Sequence, residues 1–207
     1  MYNHIYVQRR GWIRLQNKKY MSACFTGYRP EKFPFDLSVR NKKYIDFENL
    51  LVREIYSAYA AGCRTFYTGM AMGFDIIAAE AVIDFKNIRP DVKLICAVPF
   101  KNQSKMYTDD WDRRYDNILK ASDGIVYVSQ LYEKGCYFKR NKYMVDNSDI
   151  VITWFDGRCG GTANTVRYAH KIGRTVINLC NLSVKPRFFP KNIKLICKSG
   201  DNAKSQN

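Results

Sequence analysis

The sequence predicts one α/β domain with a Rossmann-like core, a three-layer α/β/α sandwich around a mostly parallel sheet of about six strands. Three observations lead there. Short apolar runs alternate with longer segments of helical period, as repeated βαβ units require. Three of those runs end in glycine-bearing loops that open onto helices, the place where such sheets bind ligands. At 207 residues and 46% hydrophobic composition, the chain can bury one sizeable core.

Taken in order, residues 1–20 hold five Lys/Arg, no acidic residue and no apolar run of the signal-peptide kind. They read as a basic extension, a β-hairpin or an arm. The core domain is expected over 21–198, and its first strand is Ser22–Thr26. Phe47, Leu50, Leu51, Ile55 and Tyr59 recur at helical spacing and place a helix over Asp46–Ala61, with Gly62 as its stop. Thr65–Thr68 is the second strand and Phe74–Phe85 the second helix. Lys93–Val98, Gly124–Val128, Ile150–Phe155 and Thr175–Leu179 supply the remaining strands. Ser104–Ala121, Tyr137–Asn147 and Thr162–Ile172 are the helices between them, the last closed by Gly173. An edge strand is expected near Ile193–Cys197, and the tail 199–207 is polar enough to be disordered.

Composition narrows the function. The formal net charge is +15, but residues 1–20 and 185–207 contribute +10 of it, while the 164 residues between carry 23 basic against 18 acidic side chains. A mildly basic core suits an anionic small molecule; the basic ends suit contact with nucleic acid or another polyanion. The seven cysteines are scattered and form no C-x-x-C pair, so neither disulfides nor a metal site is expected. No run of about 18 apolar residues exists, so no membrane span is expected and the cytoplasm is the expected location.

The chemistry gathers in the loops. Thr26-Gly27-Tyr28-Arg29-Pro30 follows the first strand: the glycine lets backbone approach a ligand, and Arg29 can fork two hydrogen bonds to a phosphate. Thr68-Gly69-Met70-Ala71-Met72-Gly73-Phe74-Asp75 follows the second, with two glycines four apart to shape a phosphate-cradling turn, though at neither the P-loop nor the dinucleotide spacing. Asp75 either caps the next helix or reads a ribose or base edge. Glu80, on a stripe of alanines in that helix, either faces the site or is solvated. Asp156-Gly157-Arg158-Cys159-Gly160-Gly161-Thr162-Ala163-Asn164 gives the strongest local signal, because paired glycines before a threonine at a helix start leave bare N–H groups and a hydroxyl around an anion. Asn164 is a candidate for ribose or base contacts, and Tyr28, Phe100 and Trp111 for stacking on a base. Arg140 shares a helix face with Met144 and Asn147 and can project towards the ligand.

Taken together, these blocks resemble the SLOG superfamily and within it the YpsA/YoqJ-like branch, over Met21 to about Leu179. The resemblance rests on Thr26–Pro30, on Thr68–Ala71 with Gly73, Asp75 and Ala78-Ala79-Glu80, on Val98-Pro99-Phe100 with Gln103 and Trp111, on Arg140-Asn141, and on Gly160-Gly161-Thr162. It implies a Rossmann-like fold and a nucleotide ligand, with Pro99, Met70 and Ala71 at the ligand-binding rim. The superfamily also includes phosphoribohydrolases of the LOG type and the DNA-processing protein DprA. In the LOG pattern an arginine works with a glutamate three residues beyond the glycine-motif threonine; Arg140 matches the arginine, but Thr165 stands at the glutamate position. Hydrolysis would therefore need Glu80 or Asp156 as its carboxylate.

The expected function is a protein that senses or sequesters an NAD- or ADP-ribose-like nucleotide, requiring no cofactor beyond that ligand. The alternatives are nucleotide N-glycoside hydrolysis by Arg140 with Glu80 or Asp156, and DprA-like binding of single-stranded DNA. A homodimer formed through the helix faces of Asp46–Ala61 or Phe74–Phe85 is expected.

Overall fold

The computed structural model describes residues 5–8, 11–14 and 20–182. Strands β1 (Ile5–Gln8) and β2 (Gly11–Arg14) pair antiparallel with Gln8 opposite Gly11, so the hairpin form of the extension is the one present. The main sheet comprises β3 (Ser22–Thr26), β4 (Thr65–Thr68), β5 (Lys93–Phe100), β6 (Gly124–Ser129), β7 (Ile150–Thr153) and β8 (Thr175–Asn178). Every neighbouring pair is parallel, in the order β6-β5-β4-β3-β7-β8. This is the expected three-layer fold. The edge strand expected at Ile193–Cys197 and the polar tail lie outside the described residues.

Helices α1 (Lys42–Ala60), α2 (Phe74–Lys86) and α3 (Asp109–Ala121) pack together on one face of the sheet, and α4 (Cys136–Asp146) and α5 (Gly161–Lys171) on the other. The larger core lies under the first three: Phe47, Leu51 and Ile55 of α1 and Ile76, Ala79 and Val82 of α2 meet Phe25, Phe66 and Leu94 of the strands. A smaller cluster of Cys24, Ala97, Val151, Met144, Val145 and Ala169 fills the other side. Helix α2 is apolar almost all round, which fits its place between α1 and α3.

Most ends fall within two residues of expectation, and four departures have a visible reason. Helix α1 starts four residues early because the Asn41 side chain accepts from the Lys43 amide. The helix expected from Ser104 splits into a 3-10 turn, Gln103–Met106, and α3, since Tyr107 and Thr108 are extended. Strand β7 stops at Thr153 because Asn178 takes both backbone groups of Phe155, its Oδ1 accepting from the amide at 3.1 Å and its Nδ2 donating to the carbonyl at 2.6 Å. Leu179 belongs to a 3-10 turn after β8.

The chain runs from β3 outward through β4 and β5 to β6, then crosses back to β7 on the other side of β3. The connections reverse direction between β3 and β7. In open parallel sheets this is where a crevice opens at the carboxyl ends of the strands, and it is bordered here by the three glycine-bearing loops.

Candidate functional site

Those loops are bound to one another. The Thr162 hydroxyl at the start of α5 donates to the Gly27 carbonyl at 2.9 Å, and the Phe74 amide at the start of α2 donates to the Tyr28 carbonyl at 3.0 Å. Gly73 sits at φ +88°, and a Cβ there would lie 2.5 Å from the Tyr28 carbonyl oxygen, so both its conformation and its neighbour demand glycine. A Cβ on Gly27 would strike the Phe74 ring. Residues 27–28 thus hold the 69–73 and 160–162 segments to one rim.

Arg140 crosses that rim from α4. Its guanidinium lies against Gly69 where any side chain would be, and Nη1 stands 3.7 Å from the Asp75 carboxylate in the first turn of α2. Both side chains are nearly closed to solvent, at 5% and 7% exposure. Burial pushes the Asp75 carboxyl up to about 6 against the pull of Arg140 and of the Ala71 amide, and burial draws Arg140 down from the usual guanidinium range. Desolvation thus outweighs mutual attraction for both groups. Arg140 Nε donates to Asn141 Oδ1 at 2.7 Å; Asn141 Nδ2 donates to Thr165 Oγ1 at 2.8 Å, and Thr165 Oγ1 donates to the Gly161 carbonyl at 2.8 Å. Nη1 has no hydrogen-bond partner among the described residues.

The β4 loop is held in an unusual shape. Met70 is fully buried at φ +59°, a left-handed conformation rare outside glycine, so the fold must hold it there. Its carbonyl accepts from Gln103 Nε2 and from the Tyr107 hydroxyl, both at 3.1 Å, and its amide donates to Thr68 Oγ1 at 3.3 Å. Thr68 Oγ1 donates in turn to the Asp75 carbonyl at 2.9 Å. Thr26 ends β3 buried beside Thr153, and Pro99 is buried near the end of β5.

On the β7 side, the Tyr28 hydroxyl donates to the Asp156 carboxylate, and Arg158 pairs with the same carboxylate at 2.7 Å while lying over the Tyr28 ring at 4.9 Å. These partners, Arg158 first, hold the Asp156 carboxyl well below the usual range. Gly157 and Gly160 have positive φ, and 157–161 is exposed, opening onto α5. Lys32 brings its ammonium beside Gly160, within 3.3 Å of where a Cβ would stand. Arg29 is exposed on the β3 loop, close enough for its charge to act on Asp75 and Arg140.

Other candidates are engaged elsewhere. Both Glu80 oxygens accept from Arg114 of α3, at 2.9 and 2.7 Å, in the contact between α2 and α3. Trp111 lies under the Arg114 guanidinium at 4.2 Å. Asn164 is exposed, with Oδ1 accepting from Arg167. Sequence reasoning missed Lys32, Thr68, Tyr107 and Asn141 as parts of the site, and gave Gln103 no role. Thr68, Gln103 and Asn141 stood within the motif blocks; nothing in local spacing marked Lys32 or Tyr107.

A family model described as the YspA SLOG family matches residues 23–174. The SPbeta prophage-derived protein YoqJ of Bacillus subtilis is 34% identical over 152 residues, which cover 68% of this chain and 85% of YoqJ. A UPF0398 protein of Halalkalibacterium halodurans is 26% identical over 134 residues, 63% of this chain and 70% of the relative. Among solved structures, DNA processing protein A of Helicobacter pylori, described for its single-stranded DNA binding mode, matches 75% of this chain with a TM-score of 0.52 at 20% identity. Its counterpart from Streptococcus pneumoniae matches 76% with a TM-score of 0.50 at 17% identity. The matches cover 63% and 50% of those two chains, and the likeness concerns the fold. No helix among the described residues is long and apolar enough to cross a membrane.

Proposed function

The chain belongs to the YspA SLOG family, and from that membership we propose that it binds a phosphate-containing nucleotide of the NAD or ADP-ribose class at the rim where β3 and β7 part, as a sensor or store of that ligand. The observation that carries this reading is the Arg140 guanidinium, buried against Gly69 with Nη1 lacking a hydrogen bond among the described residues. A buried guanidinium nitrogen without a hydrogen bond is costly even beside the Asp75 carboxylate, and a phosphate oxygen would supply the acceptor it lacks. Arg29 and Lys32 add exposed positive charge, and the open start of α5 adds N–H groups and a favourable dipole.

Ligand-observed NMR and thermal shift against NAD, ADP-ribose, cyclic ADP-ribose isomers and nucleoside monophosphates test it. We expect saturable binding that Arg140→Ala weakens at least tenfold. A panel silent in both measurements would overturn the reading.

A second reading, single-stranded DNA at the same rim, draws support from the cations on the strand-end loops: Arg29, Lys32, Lys101, Lys105, Lys134 and Arg158. The Helicobacter pylori relative in fold is described with such a ligand. Oligonucleotide binding that outcompetes every nucleotide, and that falls steeply with salt, would favour it.

A further inference from the structure

Beyond the phosphate-facing residues, the same rim carries an aromatic cluster with no evident structural duty. Phe100, at the end of β5, meets Tyr132 at 5.4 Å between ring centroids and Tyr137 at 5.9 Å, both edge-to-face. Tyr132 is 67% exposed and Tyr137 36%, with Phe138 exposed beside them. Tyr132 and Phe138, exposed over more than half their surface, return little of the hydrophobic gain that burial brings, so the core does not account for their position; Phe100 and Tyr137 are partly buried. Tyrosines perpendicular to a shared phenylalanine are braced at the edge, and their exposed surface is available for stacking.

The cluster adjoins the phosphate end of the site through one helix. Tyr137 and Arg140 stand three residues apart on α4, so their side chains are neighbours on its surface. Lys101 and Lys134 follow Phe100 and Tyr132 closely in sequence and add positive charge to these loops.

We propose that Phe100, Tyr132 and Tyr137 form a base-stacking subsite for the ligand whose phosphate meets Arg140. The inference rests on the nucleotide reading above and adds to it: the ligand carries an aromatic base separated from that phosphate by little more than a ribose, and the base lies towards β5 and β6 rather than over β8.

The test uses the full chain with two probes, ADP and inorganic pyrophosphate, titrated calorimetrically at physiological salt. ADP is expected to bind at least tenfold more tightly than pyrophosphate. Tyr132→Ala should weaken ADP about tenfold while leaving pyrophosphate within about twofold, as loss of one stacked ring does, and Tyr132→Phe should retain ADP binding because it keeps the ring. Tyr132 is exposed, so these variants are expected to fold. Equal affinity for the two probes, or a Tyr132→Ala variant that leaves ADP unchanged or weakens both probes alike, overturns the stacking subsite while the phosphate site stands. If neither probe binds, the nucleotide reading falls and takes this one with it.

Discussion

The Asp75 carboxylate faces the Arg140 guanidinium across 3.7 Å in a place where burial opposes the charge on each. The pair joins helices from opposite layers of the sandwich, α2 and α4, over the end of β4. Its arrangement sets the first two expectations.

Asp75 titrates at about 6 in the folded protein, above its ordinary 3.8. Stability linked to this group is therefore fully present below about pH 4 and is lost as pH rises through 6, a change of roughly 2–3 kcal/mol. Urea denaturation at intervals between pH 4 and 7 should show that slope in the wild type and a flatter one in Asp75→Asn. Parallel curves for the two proteins would remove Asp75 as its source.

An anion placed on Arg140 is repelled by ionised Asp75, so binding should draw a proton onto the carboxyl. Affinity for ADP-ribose is expected to fall as pH rises from 5.5 to 7.5. Near pH 6.5 the calorimetric heat should vary with the ionisation enthalpy of the buffer in the direction of proton uptake. A buffer-independent heat would contradict this coupling.

Two glycines of the β4 loop should respond differently to alanine. Gly73→Ala places a Cβ against the Tyr28 backbone at a positive φ and is expected to cost at least about 2 kcal/mol. Gly69→Ala drives a Cβ into the buried Arg140 guanidinium and the Asp75 carboxylate, so it is expected to cost at least about 2 kcal/mol and, by displacing that pair, to abolish ligand binding as well. Thermal melts with parallel ligand titrations distinguish the outcomes.

Gly161 has open space where its Cβ would stand. Gly161→Ala should therefore leave stability unchanged or raise it by up to about 1 kcal/mol, since alanine favours the helix. Ligand affinity should fall at the same time, because the methyl group crowds the approach to the start of α5. Unchanged affinity would mean that the ligand does not use this helix start.

Glu80→Gln tests the role of the carboxylate that Arg114 grips with two hydrogen bonds. The pair is partly exposed, so a loss of about 1 kcal/mol is expected. Ligand binding should be unaffected. A variant of native stability that no longer turns over a nucleotide would instead place Glu80 in chemistry.

Much of this was readable from the chain. Alternating apolar runs and helical periods located the six strands because each strand is short and largely apolar, and each but the last leads on to an α-helix that breaks the pattern. The glycine loops were readable for a related reason: a backbone that must turn or be approached closely leaves a local mark. What local patterns do not carry is pairing across the fold. The partners of Glu80, of Asp75 and of the Met70 carbonyl lie 34, 65 and 33 residues away, and their meeting depends on how the layers stack. The left-handed turn at Met70 was hidden too, since it arises from groups that grip its backbone from Thr68, Gln103 and Tyr107 and not from the residue itself.

Residues 27 and 28 anchor one helix start from each outer layer, α2 through the Phe74 amide and α5 through the Thr162 hydroxyl. A shift of this short stretch therefore displaces both helices at once, and neither can loosen alone without giving up a bond to it. Hydrogen exchange around Phe74 and Thr162 should slow in concert when either end of the crevice is occupied, making the segment after β3 a mechanical link by which one half of the sandwich responds to the other.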